Sequence, residues 1–367
     1  MMTISIHPPF KADHVGSLLR PDNLLQARKD YKAGNITAQQ LHDIETKELK
    51  RIVDKQIEVG LQAVTDGEFR RDWWHIDFLE HLNGIEGYVP NQGFDFEDEE
   101  TDPYNVRNIG EISFNPDHPF LRDFKTFNSI VDGRAVAKQT IPSPNQLLYV
   151  GMRNPDIYPD IEAYADDIVN AYRDALAAFY EAGCRYIQLD DVSIAGFVTE
   201  NDFIYDHAYS MDQLFDLSLR MVNHVLNDKP EDLYVTTHLC RGNYRSTHAF
   251  SGAYDKIAPR LFAEEKVDAF FLEYDDERSG TFEPLKYIPA GGPNVVIGIF
   301  TSKKGELEDK EEMKARIEEA SQFVPKSQLC ISPQCGFSST HHGNKLTEQQ
   351  QWDKLKYVVD IAKETLK

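Results

Sequence analysis

Residues 233–240 read LYVTTHLC. The run is short, apolar at its start, and closes on an imidazole and a thiol. In a strand, side chains two apart share a face, so His238 and Cys240 project together. Working outward, similar short runs recur at 11–17, 63–68, 135–142, 186–191, 269–275, 295–301 and 329–335. Amphipathic stretches separate most of them. In 164–182, for example, apolar residues return every three or four positions, as on one face of a helix. Alternating strand and helix patterns predict a parallel sheet, and eight units predict an α/β fold of the (β/α)8 TIM-barrel kind.

Several runs end in polar residues: DGE, LDD, THLC, LEYDD and SPQC. A barrel predicts this asymmetry, because its active site forms at the C-terminal mouth of the strands. No GxGxxG follows an early strand, so nothing supports a dinucleotide site. The rhythm breaks at about 83–118, rich in Gly, Pro, acidic and aromatic residues. That stretch is too long for a plain barrel loop and is expected to be an irregular insertion after strand 2. It is either a lid at the mouth or a surface element that packs elsewhere or contacts another copy. No linker or repeat marks a second domain, so 1–367 is expected to form a single catalytic barrel.

The formal net charge of −22 makes nucleic acid an unfavourable partner. No apolar run is long enough to cross a membrane, and the start of the chain lacks the pattern of a secretory signal. A cytoplasmic protein is expected. Four cysteines in a chain of 367 residues do not form a disulfide framework and are read singly.

Two further residues at strand ends join His238 and Cys240. Glu273 closes the apolar stretch 269–272, and Cys335 precedes Gly336, where the backbone is free to leave the strand. One nitrogen, two sulfurs and one oxygen make a tetrahedral ligand set for Zn2+, and the sulfurs disfavour magnesium and calcium. The alternative for these residues is a hydrogen-bonded core histidine and a small buried cysteine. Cys330 lies five residues before Cys335, so strict alternation sends it away from the barrel axis. Cys184 reads as packing. A free thiol with pKa about 8.5 is only a few per cent ionised at neutral pH. A substrate thiol on zinc loses its proton, and a sulfur-rich zinc suits alkyl transfer to that thiol better than hydrolysis.

In the order HVGS, TDGEF, IQLDD, THLC, LEYDD and SPQCGF, the motifs resemble the catalytic C-terminal barrel of the cobalamin-independent methionine synthases, and within them the short single-barrel members. The resemblance runs from residue 13 to beyond residue 335 and implies the same (β/α)8 fold. It implies zinc on His238, Cys240, Glu273 and Cys335. It implies that Gly16 and Ser17 hold the backbone of homocysteine, and that Glu68, after Gly67, and Asp190 pair with its ammonium group. An ion pair with Arg70 or Arg71 is the structural alternative for those carboxylates. The implied partners are a small-molecule thiol, homocysteine, and a methyl donor, either a folate or another carrier.

Three features depart from the large synthases. The N-terminal half is absent. Ile141, Pro142, Ser143 and Pro144 stand where a folate-stacking Trp is expected. No imidazole occurs near Thr301. Trp73, Trp74 and His75 either rebuild such a wall or pack beneath the insertion. Zinc-dependent relatives that open epoxides with coenzyme M share the HVGSLLRP opening. Epoxide opening by a coenzyme M-like thiol is therefore the alternative activity.

Overall fold

The LYVTTHLC run folds as strand β6 (Tyr234–Leu239), at the middle of a seven-stranded sheet. This computed structural model describes residues 8–149, 151–199 and 208–366. The sheet order is β1 (Ala63–Val64), β4 (Val136–Pro142), β5 (Tyr186–Asp191), β6, β7 (Ala269–Glu273), β8 (Asn294–Phe300) and β9 (Leu329–Pro333). Every neighbouring pair is parallel.

The first expected run, 11–17, is not a full strand. It makes one parallel bridge, Ala12 with Ile331 of β9. Farther on, Leu18 N donates to Gly67 O at 3.0 Å and Thr65 Oγ1 to Gly16 O at 2.5 Å. The segment thus fills the gap between β9 and β1 and closes the (β/α)8 barrel. It leaves the ladder early because Asp13 turns its carboxylate onto His14 N at 2.7 Å and Gly16 takes a φ of 144°. The second run, 63–68, is likewise cut to two residues, since Gly67 and Glu68 adopt left-handed φ values of 66° and 61°.

The outer layer holds α1 (Asp22–Lys32), α2 (Ala38–Glu58), α4 (Pro119–Val131), α5 (Ile161–Glu181), α7 (Met211–Leu226), α8 (Ala258–Glu264), α9 (Lys310–Ala320) and α10 (Glu348–Thr365), with short α3 (Ile76–Leu79) and α6 (Ile194–Thr199) following β1 and β5. Helix α5 covers the stretch read as amphipathic and buries Tyr164, Ile168, Tyr172, Ala175 and Phe179 against the sheet. Thr37–Gln40, Ser210–Gln213 and Thr347–Gln350 form capping boxes that start α2, α7 and α10. After β7 the crossover has only 3₁₀ turns, Glu277–Ser279 and Glu283–Tyr287. No helix among the described residues is long and apolar enough to cross a membrane.

The insertion is more regular than expected. Its ends zip into antiparallel β2 (Asn83–Tyr88) and β3 (Asn105–Ser113). Val106, Asn108 and Ile112 are buried while Arg107, Ile109 and Glu111 are exposed, the period of two that a half-buried strand requires. The loop between β2 and β3 and the residues after Ser113 lack a ladder.

Toward the N-terminal ends of the strands, the barrel interior is closed by a buried ion pair. Lys138 Nζ lies 3.2 Å from Asp13 Oδ1, both side chains fully buried. The ammonium also donates to His14 O at 2.7 Å and sits 4.1 Å from the Phe271 ring centroid. Tyr186 Oη donates to Asp13 Oδ2 at 2.8 Å.

Cys330 belongs to this interior, packed with Val15, Phe271 and Val296. The expectation that sends it away from the axis is wrong. Alternation does not extend from Cys330 to Cys335, because the β8–β9 register slips between Gly298 and Phe300 and the strand ends at Pro333.

Truncating one member of a buried ion pair strands the other charge. Asp13→Ala is expected to cost about 3–5 kcal/mol in urea unfolding. A loss below about 1 kcal/mol would show that the pair is not what closes the interior.

Candidate metal centre

Strand ends carry the cluster. His238 is the fifth residue of β6, and Cys240 follows its end. Glu273 ends β7, and Cys335 lies two residues past β9. One ligand atom from each of the four lies within 4.8 Å of the other three, and all four residues are buried. The two sulfurs are 3.7 Å apart, and neither cysteine is in a disulfide. Closure of the barrel, not sequence proximity, brings the β6, β7 and β9 ends together.

The surroundings orient each donor. Asp190, in β5, sits beside His238 because the β5–β6 register pairs the two residues directly. Its Oδ1 is 3.1 Å from His238 Nδ1, which leaves Nε2, 3.2 Å from Gln334 O, as the ring atom for a ligand. Glu273 Oε2 accepts from Arg241 N at 3.2 Å, while Oε1 is buried with no hydrogen-bond partner. An orphaned carboxylate oxygen facing two thiols is chemically incomplete without a cation.

Charge crowding shows in the proton affinities. Burial pulls the His238 imidazolium down, but Asp190, Cys335 and Glu273 overcome it and hold the ring at about 9. The Cys240–Cys335 contact pushes the Cys240 thiol well up and pulls Cys335 down. Burial raises the Glu273 carboxyl.

The other expected residues flank the cluster. Ser17, Glu68, Asp190, His238, Cys240 and Cys335 all line one cavity of about 250 Å³. Gly16 lies against Thr140, where an added Cβ would come within 2.7 Å of Thr140 Cγ2. Glu68 Oε1 accepts from Thr140 Oγ1 at 3.0 Å, and Oε2 is buried without a partner. Burial raises the Glu68 carboxyl to about 7, against the pull of Arg71. Arg71 Nη1 stands 3.6 Å from Glu68, and Arg70 turns instead to Glu45. Trp73, Trp74 and His75 line the cavity too, and Trp73 is also part of the main hydrophobic core.

Sequence reasoning missed three parts of this centre. Arg20 is buried and donates to Ser338 O, Thr340 O, Glu68 O and Arg71 O, tying three loops into one wall. Asn243 Nδ2 donates to Gly336 O at 2.8 Å and Ser339 Oγ at 3.1 Å, holding the loop after Cys335. Phe94, Phe96, Tyr244 and Phe250 roof the cavity. Arg20 lies in the HVGSLLRP motif and the two phenylalanines in FDF, but neither signal indicates which way those side chains turn.

A family model described as the catalytic domain of cobalamin-independent synthase matches residues 10–364, and the chain belongs to this family. It is a methyltransferase by class. It is 48% identical to the protein YxjG of Bacillus subtilis, over 98% of this chain and 96% of that one. A solved structure from Listeria monocytogenes superposes with a TM-score of 0.79 at 43% identity, covering 97% of this chain and 98% of the other. The 5-methyltetrahydropteroyltriglutamate–homocysteine methyltransferase of Thermotoga petrophila is 20% identical over 98% of this chain, which spans 45% of that enzyme's length.

At pH 7 His238, at about 9, and Cys240 both carry protons that must leave before they ligate. Zinc uptake by the metal-free protein is therefore expected to release protons, read by calorimetry in buffers of different ionisation enthalpy. Cys335→Ala is expected to abolish that uptake and leave the far-ultraviolet circular dichroism unchanged. Full zinc stoichiometry in the variant would remove Cys335 from the ligand set.

Proposed function

We propose that this methyltransferase binds one Zn2+ on His238, Cys240, Glu273 and Cys335 and methylates the thiol of homocysteine to give methionine. The observation that carries the reading is the buried cluster of one nitrogen, two sulfurs and one unpartnered oxygen, opening onto a cavity that also holds an unpartnered carboxylate oxygen of Glu68. The soft donors favour zinc over hard cations. Zinc held there by these four residues would supply Lewis acidity that lowers the pKa of a substrate thiol toward neutral pH.

The protein's own groups then position the substrate. Gly16 and Ser17 hold the amino-acid backbone. Glu68 and Asp190 receive the ammonium group through charge-assisted hydrogen bonds. Asp190 serves twice, since it also fixes the His238 tautomer at 3.1 Å. Two carboxylates in the cavity favour a thiol bearing an ammonium group over a sulfonate thiol, which weighs against epoxide opening by a coenzyme M-like thiol.

The insertion acts as a lid. Pro90, Phe94, Phe96 and Tyr104 from it line the cavity. It is held down by ion pairs of Glu99 with Arg245 and Lys345, and by contacts of Glu97 with His248 and of Asp102 with His342, whose imidazoles burial pushes below their ordinary value. Several of these partners are more than half exposed, so each pair contributes little and the lid opens at low cost.

X-ray absorption of the zinc-loaded protein tests the reading. Homocysteine is expected to add one sulfur neighbour to the metal and release a proton, and an unchanged spectrum at saturating homocysteine refutes it. Glu68 makes a separate prediction. Its carboxylate form attracts the ammonium group, so binding of methionine, which has no thiol to titrate, should tighten as pH rises through about 7. In Glu68→Gln that pH dependence should flatten.

A further inference from the structure

A second group of metal-ligating side chains stands at the seam between the insertion and the barrel, outside the cavity lining. Asp102 comes from the loop between β2 and β3. His341 and His342 come from the loop after β9, downstream of Cys335. One ligand atom from each of the three lies within 4.8 Å of the other two. Asp102 Oδ2 is 3.4 Å from His342 Nε2 and 3.9 Å from His341 Nε2. The two imidazole rings lie 4.0 Å apart with 35° between their planes, so both turn Nε2 to the same carboxylate.

Backbone contacts fix the histidines beforehand. Trp73 and Thr340 form an antiparallel bridge, Trp74 N donates to Ser339 O at 3.1 Å, and His341 N donates to Asp72 O at 2.8 Å. Arg20 donates to the Thr340 carbonyl at 3.1 Å. His342 Nδ1 lies 3.4 Å from Thr340 Oγ1 and 3.5 Å from Tyr244 Oη, contacts that orient the ring with Nε2 toward Asp102. The Tyr244 ring in turn meets Phe96 of the insertion, centroids 5.3 Å apart.

These contacts leave Asp102 poorly compensated. No lysine or arginine among the described residues forms an ion pair with it, and burial lowers both imidazoles, so they face it largely uncharged at neutral pH. Neutral imidazole is the form that ligates metals. Bonds of about 2.0–2.2 Å in a tetrahedral site set donor separations of about 3.3–3.6 Å. The His342–Asp102 pair already meets that distance, and the His341–Asp102 pair needs a shift of about 0.5 Å. Two imidazoles and a carboxylate suit Zn2+, Ni2+ or Cu2+ better than Mg2+ or Ca2+. Asp95, Glu97, Asp98, Glu99 and Glu100 in the same loop add a field that favours a dication.

We propose that Asp102, His341 and His342 form a second site, for a transition-metal dication of the Zn2+ class, and that the bound ion latches the insertion onto the loop that carries Cys335. The site shares no residue with the His238–Cys240–Glu273–Cys335 cluster, so it stands independently of the thiol reading. It offers three donors at the solvent-facing rim, where water completes the shell, and so binds more weakly than the buried four-donor cluster. With the ion in place, the loop bearing Phe94 and Phe96 is pinned over the cavity. Without it, that loop rests on aromatic contacts and weak ion pairs. Dication concentration thereby sets access to the cavity.

The test titrates the metal-free full-length protein with Zn2+ by calorimetry and follows hydrogen–deuterium exchange across residues 93–102. The wild type is expected to bind two equivalents. The tighter one is the proton-releasing uptake assigned to the cysteine cluster. His342→Ala is expected to lose the weaker equivalent and keep the tighter, and Cys335→Ala to do the reverse. Asp102→Asn should weaken the second equivalent at least roughly tenfold. In the wild type, exchange across 93–102 is expected to slow severalfold as the second equivalent binds, and in His342→Ala it should not respond to added zinc.

A wild type without the weaker equivalent, or His342→Ala that keeps it at wild-type affinity, overturns the site. A second equivalent that leaves exchange across 93–102 unchanged in the wild type overturns the latch. Loss of only the tighter equivalent from the wild type refutes the cysteine cluster and leaves this site standing.

Discussion

Burying two thiols and a carboxylate side by side is costly unless a cation joins them. In this chain Cys240, Cys335 and Glu273 meet beside His238 at the barrel mouth, out of solvent. Most of the surrounding architecture is explained as a frame for that cluster. Asp190 fixes the imidazole, and Arg241 takes one oxygen of Glu273 and leaves the other open. Gln334 places its carbonyl beside His238 just as the chain turns from β9 to deliver Cys335.

A centre so dependent on geometry needs a stiff support. The strands supply it, because β6 and β7 are fixed by parallel ladders on both sides and β9 by its ladder with β8 and the Ala12 bridge. The Lys138–Asp13 pair closes the opposite end of the same interior. Glu68 stands at the boundary between support and chemistry. Its left-handed backbone and its unpartnered, buried oxygen are both unfavourable in isolation. They persist because Arg20 clamps the Glu68 carbonyl to the loops after β9. Strain and an unmet hydrogen bond thus coincide at one residue of the cavity lining.

Above the rigid mouth the insertion contributes different physics. Its ends are zipped by β2 and β3, while its central loop rests on the barrel through aromatic contacts and exposed ion pairs. Such contacts are individually weak and reversible. The four-residue cluster is held by strand ends, the roof by weaker contacts, and the cavity lies between them.

Much of this was legible in the residues. Period two along LYVTTHLC is enough to put His238 and Cys240 on one face, because a single strand settles it. The alternation of strand and helix patterns likewise announced the barrel, and polar strand ends announced its working face. Other features were decided only on folding. Whether Glu273 and Cys335 reach the same point depends on barrel closure. The slip between β8 and β9 reverses what strict alternation predicts for Cys330 and Cys335. The strand lengths at 11–17 and 63–68, the clamp made by Arg20, and the roof made by Phe94 and Phe96 rest on turns and close approaches between distant segments. Local periodicity records which face a side chain takes. Distances between strands follow from register, closure and loop geometry, which no single stretch of sequence contains.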